Sequence, residues 1–289
     1  MPYICYNVDY IICGLKMKII SDVNELKTYL RKKNKTIGFV PTMGALHDGH
    51  LSLIKQSKKE CELTVVSIFI NPTQFLADED LDKYPSRDEA DKKICKFAGV
   101  DVVFLPQVKD IYGADEVSLA APNVRGFVLE GATRPGHFDG VLTVVNKLLN
   151  IVNPDFAYFG KKDAQQLNLI TLMAKQLFMD VQIVAVDTVR ESDGLALSSR
   201  NIYLSKEQRK EALKISLSLY EASRMVQKDV YDVAMIKEAM LEILKPLEIG
   251  YVEILNREFE IVESVEIGNT IVLVEALVGT TRLLDNIWL

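Results

Sequence analysis

Residues 36–51 read TIGFVPTMGALHDGHL. The stretch opens on a short apolar run, TIGFV, suited to a buried strand. A proline and two glycines follow, and then Leu51, Ile54 and Cys61 fall on one face of a helical period. Strand, glycine-marked turn and helix in that order form the unit from which parallel sheets are built. The turn also holds two of the three histidines of the chain, His47 and His50, three residues apart.

The same alternation continues on both sides. LTVVSIFI (63–70) is continuously apolar and β-branched, as a strand covered on both faces requires. Residues 88–98 read as a helix and 101–105 as another buried strand. In 137–152, Val141, Val144, Val145, Leu148, Leu149 and Val152 are spaced three and four apart, and Pro154 ends that helix. DFAYFG (155–160) supplies the next strand. Asp163 is placed to cap the helix over 165–178, and VQIVAV (181–186) follows as a strand. The pattern predicts an α/β fold with a doubly wound parallel sheet. Beyond about Val189 it changes: helical segments at 206–228 and 231–245 precede strand-like runs at 251–255 and 270–278. A second, smaller α+β C-terminal domain is predicted there, with a linker near RESDG (190–194).

Composition narrows the class of protein. The chain has 289 residues, 48% hydrophobic and 26% charged, enough to bury a large core, and a net charge of −6 gives no basic footprint for nucleic acid. Cys5, Cys13, Cys61 and Cys95 are scattered, so neither a disulfide framework nor a zinc cluster is expected, and reduced thiols in the cytoplasm are. No apolar run approaches the ~20 residues that span a bilayer. MPYICYNVDYIICGLK (1–16) lacks the basic start and cleavage site of a signal peptide and reads as an extension ahead of Met17.

Five loops carry the polar chemistry: three at strand ends, one leading into the long helix and one between the two parts of the chain. At Gly44 and Gly49 the backbone can approach a ligand closely. A helix starting near His50 offers free N–H groups to phosphate, and two imidazoles add donors. A metal is the rival occupant, but no third ligand stands nearby. FINPTQF (69–75) offers Asn71 and Gln74 to hydroxyl and carboxylate oxygens. EGATRPGHFDGV (130–141) holds the third histidine, His137, equally readable as an anion ligand or a solvated loop residue. FGKKDAQQL (159–167) sets Lys161 and Lys162 before a helix start, and VRESDGLALSSRN (189–201) offers Ser198, Ser199 and the planar fork of Arg200. Together the loops ask for a nucleotide.

These five motifs, in this order from Met17 to the C-terminus, resemble those of the pantoate–β-alanine ligase family. The HDGH turn alone would indicate only the wider nucleotidyl-transferase superfamily. The resemblance implies a Rossmann-like ATP- and pantoate-binding domain over 17–189 and a lid domain over 190–289. It further implies a homodimer, ATP as substrate, and Mg²⁺ held mainly by ATP phosphates rather than by protein ligands. The implied reaction joins pantoate to β-alanine through a pantoyl adenylate, releasing pyrophosphate and AMP.

By the same resemblance Met43, Gly44, Ala45, Leu46, His47, Asp48, Gly49 and His50 contact ATP. So do Gly160, Lys161, Lys162, Asp163, Val189, Leu197, Ser198, Ser199 and Arg200. His47, His50, Lys162 and Arg200 are the catalytic set. Gln74 and Gln166, with Pro41 and Asn71, hold the substrate acid. One departure stands out: the family commonly has Tyr-Pro-Arg after the NPTQF loop, and this chain reads Tyr84-Pro85-Ser86-Arg87, so no role is carried over to Arg87. Another adenylyl-transferring enzyme would have no reason to carry both FINPTQF and KKDAQQL. A decayed nucleotide sensor would be expected to lose the charged phosphate contacts that this chain keeps.

Overall fold

The computed structural model describes residues 17–76 and 87–289; the N-terminal extension and the Tyr84–Ser86 part of the displaced motif lie outside them. The first sheet consists of β1 (Lys18–Ile20), β2 (Ile37–Thr42), β3 (Leu63–Ile68), β4 (Val102–Phe104), β5 (Phe156–Gly160) and β6 (Gln182–Val186). All pairings are parallel and the order is β1-β4-β3-β2-β5-β6. From β2 the chain builds outward through β3 and β4, then returns to the other side of β2 with β5 and β6. Strand order therefore reverses between β2 and β5, which is where open α/β sheets bind ligands.

Alternate residues of the central strands feed two cores. Phe39, Val65 and Phe104 pack with Val141, Val144 and Leu148 of the long helix. Val40, Val66 and Val103 pack on the opposite face with Leu53 and Ile54. The helices so placed include α1 (Val23–Arg31), α2 (Asp48–Glu60), α3 (Asp88–Phe97), the short α4 (Val108–Ile111) and α5 (Glu130–Thr133), α6 (His137–Val152) and α7 (Ala164–Gln176). Asp22 caps α1, its side chain accepting from the Glu25 N–H, and Asn153 ends α6 in the left-handed region one residue before Pro154. Asp163 stands ahead of α7 but its carboxylate makes no capping bond. It is turned to the Lys162 ammonium instead, 3.3 Å away.

The remainder packs α8 (Lys206–Val226) and α9 (Val233–Leu244) on an antiparallel sheet of β7 (Glu248–Asn256), β8 (Thr270–Val278) and β9 (Thr281–Trp288). Ile215, Leu219, Ile236, Met240, Val272 and Val274 form its core. β9 is not expected from the sequence, because Arg282, Asp285 and Asn286 break its apolar pattern. Each of these is satisfied by a partner from elsewhere in the chain. Residues 190–194, read from sequence as a linker, form an ordered hairpin with 195–197: the Glu191 N–H donates to Leu195 O and the Leu197 N–H to Val189 O. Arg190 makes a forked ion pair to Asp285, at 2.6 and 3.0 Å.

Candidate active site

β2 delivers the chain to the reversal point, and the turn after it is built by side chains accepting from its backbone. Gly44 has φ +87° and Ala45 φ +52°, so two successive residues are left-handed. Thr42 Oγ1 accepts from the Gly44 N–H at 3.2 Å, and the Asp91 carboxylate accepts from Ala45 and Leu46 at 2.8 and 2.9 Å. Asp91 lies on α3 and is 1% exposed. Nothing in the sequence marks it, because an aspartate in a helix mostly looks like a solvated one.

His47 is the N-cap of α2. Its Nδ1 accepts from the Gly49 N–H at 3.2 Å, while the His50 Nδ1 accepts from the His47 N–H at 3.3 Å. A neutral imidazole whose Nδ1 accepts must carry its proton on Nε2. Both rings therefore present an Nε2–H donor, with centroids 4.1 Å apart. Burial, then the neighbouring His47, lowers the His50 pKa to about 3. Burial and the Lys162 charge lower that of His47 as well. The pair is thus neutral near pH 7. As for a metal, no group of three or more His, Cys, Asp or Glu able to hold an ion occurs among the described residues.

The loop after β5 lies beside this turn. Gly160 ends the strand, and Lys161–Asp163 form one 3-10 turn ahead of α7. The two lysines send their ammonium groups to different partners. Lys161 Nζ pairs with Asp187 at 2.6 Å and lies over the Trp288 ring. Lys162 Nζ faces Asp163 and lies near enough to His47 for its charge to act on that ring. Burial alone would raise the Asp163 pKa, but the charges of Lys162, Arg200 and His137 outweigh it and hold the carboxyl below its usual value. From β9, Asn286 Nδ2 donates to both Lys161 O and Lys162 O, at 3.0 and 2.7 Å, fixing the turn from behind.

The 189–201 loop closes the third side. Val189 is held in the hairpin, and Leu197 reaches the other side of the helix start: a Cβ built on Gly49 would lie 4.0 Å from Leu197 Cδ2. Ser198 caps the following turn Ser199–Tyr203, its Oγ accepting from the Arg200 N–H at 3.2 Å, and the Arg200 side chain is exposed. A small cleft lined by Lys162, Ser198, Arg200 and Arg282 lies between this loop and β9.

On the β3 side, Pro41 pairs in register with Ser67, and the turn Pro72–Gln74 follows β3. Asn71 does not offer itself to a ligand. It is 1% exposed, its Nδ2 donates to Gln74 Oε1 and Gly140 O, and its Oδ1 accepts from the Thr73 and Tyr112 hydroxyls. Its Nδ2 thus fixes Gln74, whose Nε2 lies 2.9 Å from Met43 Sδ. His137 is likewise no solvated residue: 7% exposed, it starts α6 with Nδ1 2.8 Å from the Gln74 carbonyl and Nε2 2.9 Å from Arg134. Gln166, half-buried on α7, makes no side-chain hydrogen bond to any described residue, so its amide is free for a substrate. Its neighbour Gln165 is buried and committed, accepting from the Glu130 N–H and donating to Arg125 O and Val128 O. Arg87 is exposed at the start of α3, where its carbonyl accepts from the Asp91 N–H.

The family model described as Pantoate-beta-alanine ligase matches residues 18–288. The pantothenate synthetase of Sulfurimonas denitrificans is 67% identical over 273 residues, 94% of this chain and 100% of its own length. That of Aliarcobacter butzleri is 54% identical over the same shares. Among solved structures, pantothenate synthetase from Thermus thermophilus superposes with a TM-score of 0.89 at 39% identity, covering 94% of this chain and 99% of that one. The enzyme from Francisella tularensis, complexed with beta-gamma ATP and beta-alanine, gives 0.78 at 34% identity, covering 94% and 98%. With the family's description running almost from end to end and relatives matched over their whole length, the chain belongs to the pantoate–β-alanine ligases, enzymes that join pantoate to β-alanine with ATP.

Proposed function

We propose that this chain condenses (R)-pantoate with β-alanine in two steps at the reversal point of its sheet. A pantoate carboxylate oxygen attacks the α-phosphorus of ATP and pyrophosphate leaves. The neutral amine of β-alanine then attacks the acyl carbon of the adenylate and AMP leaves. The observation that carries the reading is the pair of Nε2–H donors of His47 and His50 at the start of α2, with Lys162 and Arg200 facing the same space. Two anions must meet in the first step, so positioning and charge neutralisation supply most of its rate. His50 acts by stabilising charge on phosphate oxygens, since its Nδ1 is engaged by backbone and its ring is neutral in the free site. Gln74 and Gln166 hold pantoate from either side of β2, and Asp163 lies at the ribose. The ATP and β-alanine carried by the Francisella tularensis relative support the choice of substrates.

Mg²⁺ fits the site as a companion of ATP, because the donor set here is cationic and neutral with few carboxylates. Bound to phosphate oxygens and keeping several waters, it would neutralise part of the triphosphate charge. Residues 17–189 form the binding body and 190–289 the closing domain. The protein works as a homodimer in the cytoplasm. Among the described residues no helix is long and apolar enough to cross a membrane. The deciding assay is stepwise: ATP with pantoate alone should release pyrophosphate, and AMP should follow only when β-alanine is added. Pantoate-independent turnover, or no turnover, would overturn the assignment.

A further inference from the structure

Successive backbone N–H groups in a left-handed turn make a concavity that attracts anions. The turn at Gly44–Leu46 has that shape and stands at the mouth of the site, yet its amides are not free for phosphate. The N–H of Ala45 points to Asp91 Oδ2 at 2.8 Å and that of Leu46 to Asp91 Oδ1 at 2.9 Å, and Thr42 takes the third, from Gly44. The carboxylate that fills the concavity is itself buried, on a helix behind the loop rather than in it. A Cβ on Gly44 would come within 3.1 Å of Asp91 Oδ2, so the glycine is needed both for its φ and for this approach.

We infer that Asp91 is a positioning residue for adenylation: it occupies the anion-binding turn from inside and thereby holds the adjoining His47–His50 donors against the reacting phosphates. Phosphate is then directed to the α2 N-terminus and the two Nε2–H groups, one residue further along the chain. The carboxylate accepts two amides at once because it has two acceptor oxygens. An asparagine has one, and its NH₂ would face an N–H.

The inference rests on ATP binding at this turn. Asp91→Asn should keep its melting temperature within a few degrees while kcat for pantoate-dependent pyrophosphate release falls about 100-fold, the usual consequence of a ~1 Å displacement near reacting groups. The KM for pantoate should stay within about three-fold, because Gln74 is held independently by Asn71 and His137. A folded Asp91→Asn enzyme with near wild-type kcat would overturn the inference. Should that variant fail to fold, Asp91→Ala titrated with formate carries the test: kcat rising with formate supports the role, and refolding without recovery of rate refutes it. If the wild type itself releases no pyrophosphate with pantoate, the functional reading fails separately. Hydrogen exchange at Ala45 and Leu46 then still tests the clamp, with fast exchange in the wild type counting against it.

Discussion

Both imidazoles of the His47–His50 pair commit Nδ1 to the helix they introduce and leave Nε2–H outward, so the backbone selects the tautomer. This has a consequence for pH. In the unfolded chain a histidine takes a proton below about 6.5, whereas native His50 stays neutral down to about 3. Between those values the unfolded state binds the extra proton, so stability rises with pH and is lost as pH falls below 6.5. The unfolding free energy from urea titrations between pH 6.5 and 5 should fall by at most ~1.4 kcal/mol per pH unit on this account. His50→Ala should flatten that slope, and should slow pyrophosphate release by roughly 10²–10³-fold through the lost donor. At this scale the sequence is readable where a side chain's partners lie in its own loop, as with His47 and His50, whose rings cap each other's turn. It misleads where the partner is distant. Asn71 resembles a ligand in NPTQ until Tyr112 and Gly140 close on it, and Lys161 resembles its neighbour until Asp187 draws its ammonium away.

Among the elements, α6 does more than cover the sheet. Its first turn sets His137 under the Gln74 carbonyl, and at Gly140 its backbone comes so near the turn Pro72–Gln74 that an added Cβ would lie 2.3 Å from Thr73 O. Neither side can yield by rotating a side chain, because the obstructing atom is backbone. Gly140→Ala should therefore cost about 1–3 kcal/mol, as overpacking does, and should raise the KM for pantoate by moving Gln74, while the KM for ATP changes less. Thermal melts and steady-state kinetics together check both halves. The strands β2, β3 and β5 and the helices α2, α6 and α7 can be read from apolar period and punctuation. β9 cannot, because its polar residues are buried by long-range pairing, and a period-2 reading has no means of finding Glu130 as the partner of Arg282.

For the molecule as a whole, that pair ties the C-terminal sheet to α5 of the first part. Arg282 of β9 forks onto Glu130, also reaches Glu275 at 3.2 Å, and Tyr251 donates to Glu130 at 2.9 Å. Glu130 and Glu275 are both buried, and burial pushes the Glu275 carboxyl up. Removing the cation would leave two enclosed carboxylates uncompensated, at a cost of ~3–5 kcal/mol. Arg282→Met should accordingly lower the melting temperature and increase proteolysis between the two parts, and Arg282→Lys should recover only part of the loss because an ammonium lacks the fork. The other tie, Asn286 on the carbonyls of Lys161 and Lys162, sets a limit on motion. If the C-terminal sheet swings to admit ATP, the end of β9 must stay where it is, because any departure would carry Lys162 with it. The swing then has its axle at Asn286 and leaves Lys162 at rest, and to open it must part Arg282 of β9 and Tyr251 of β7 from Glu130.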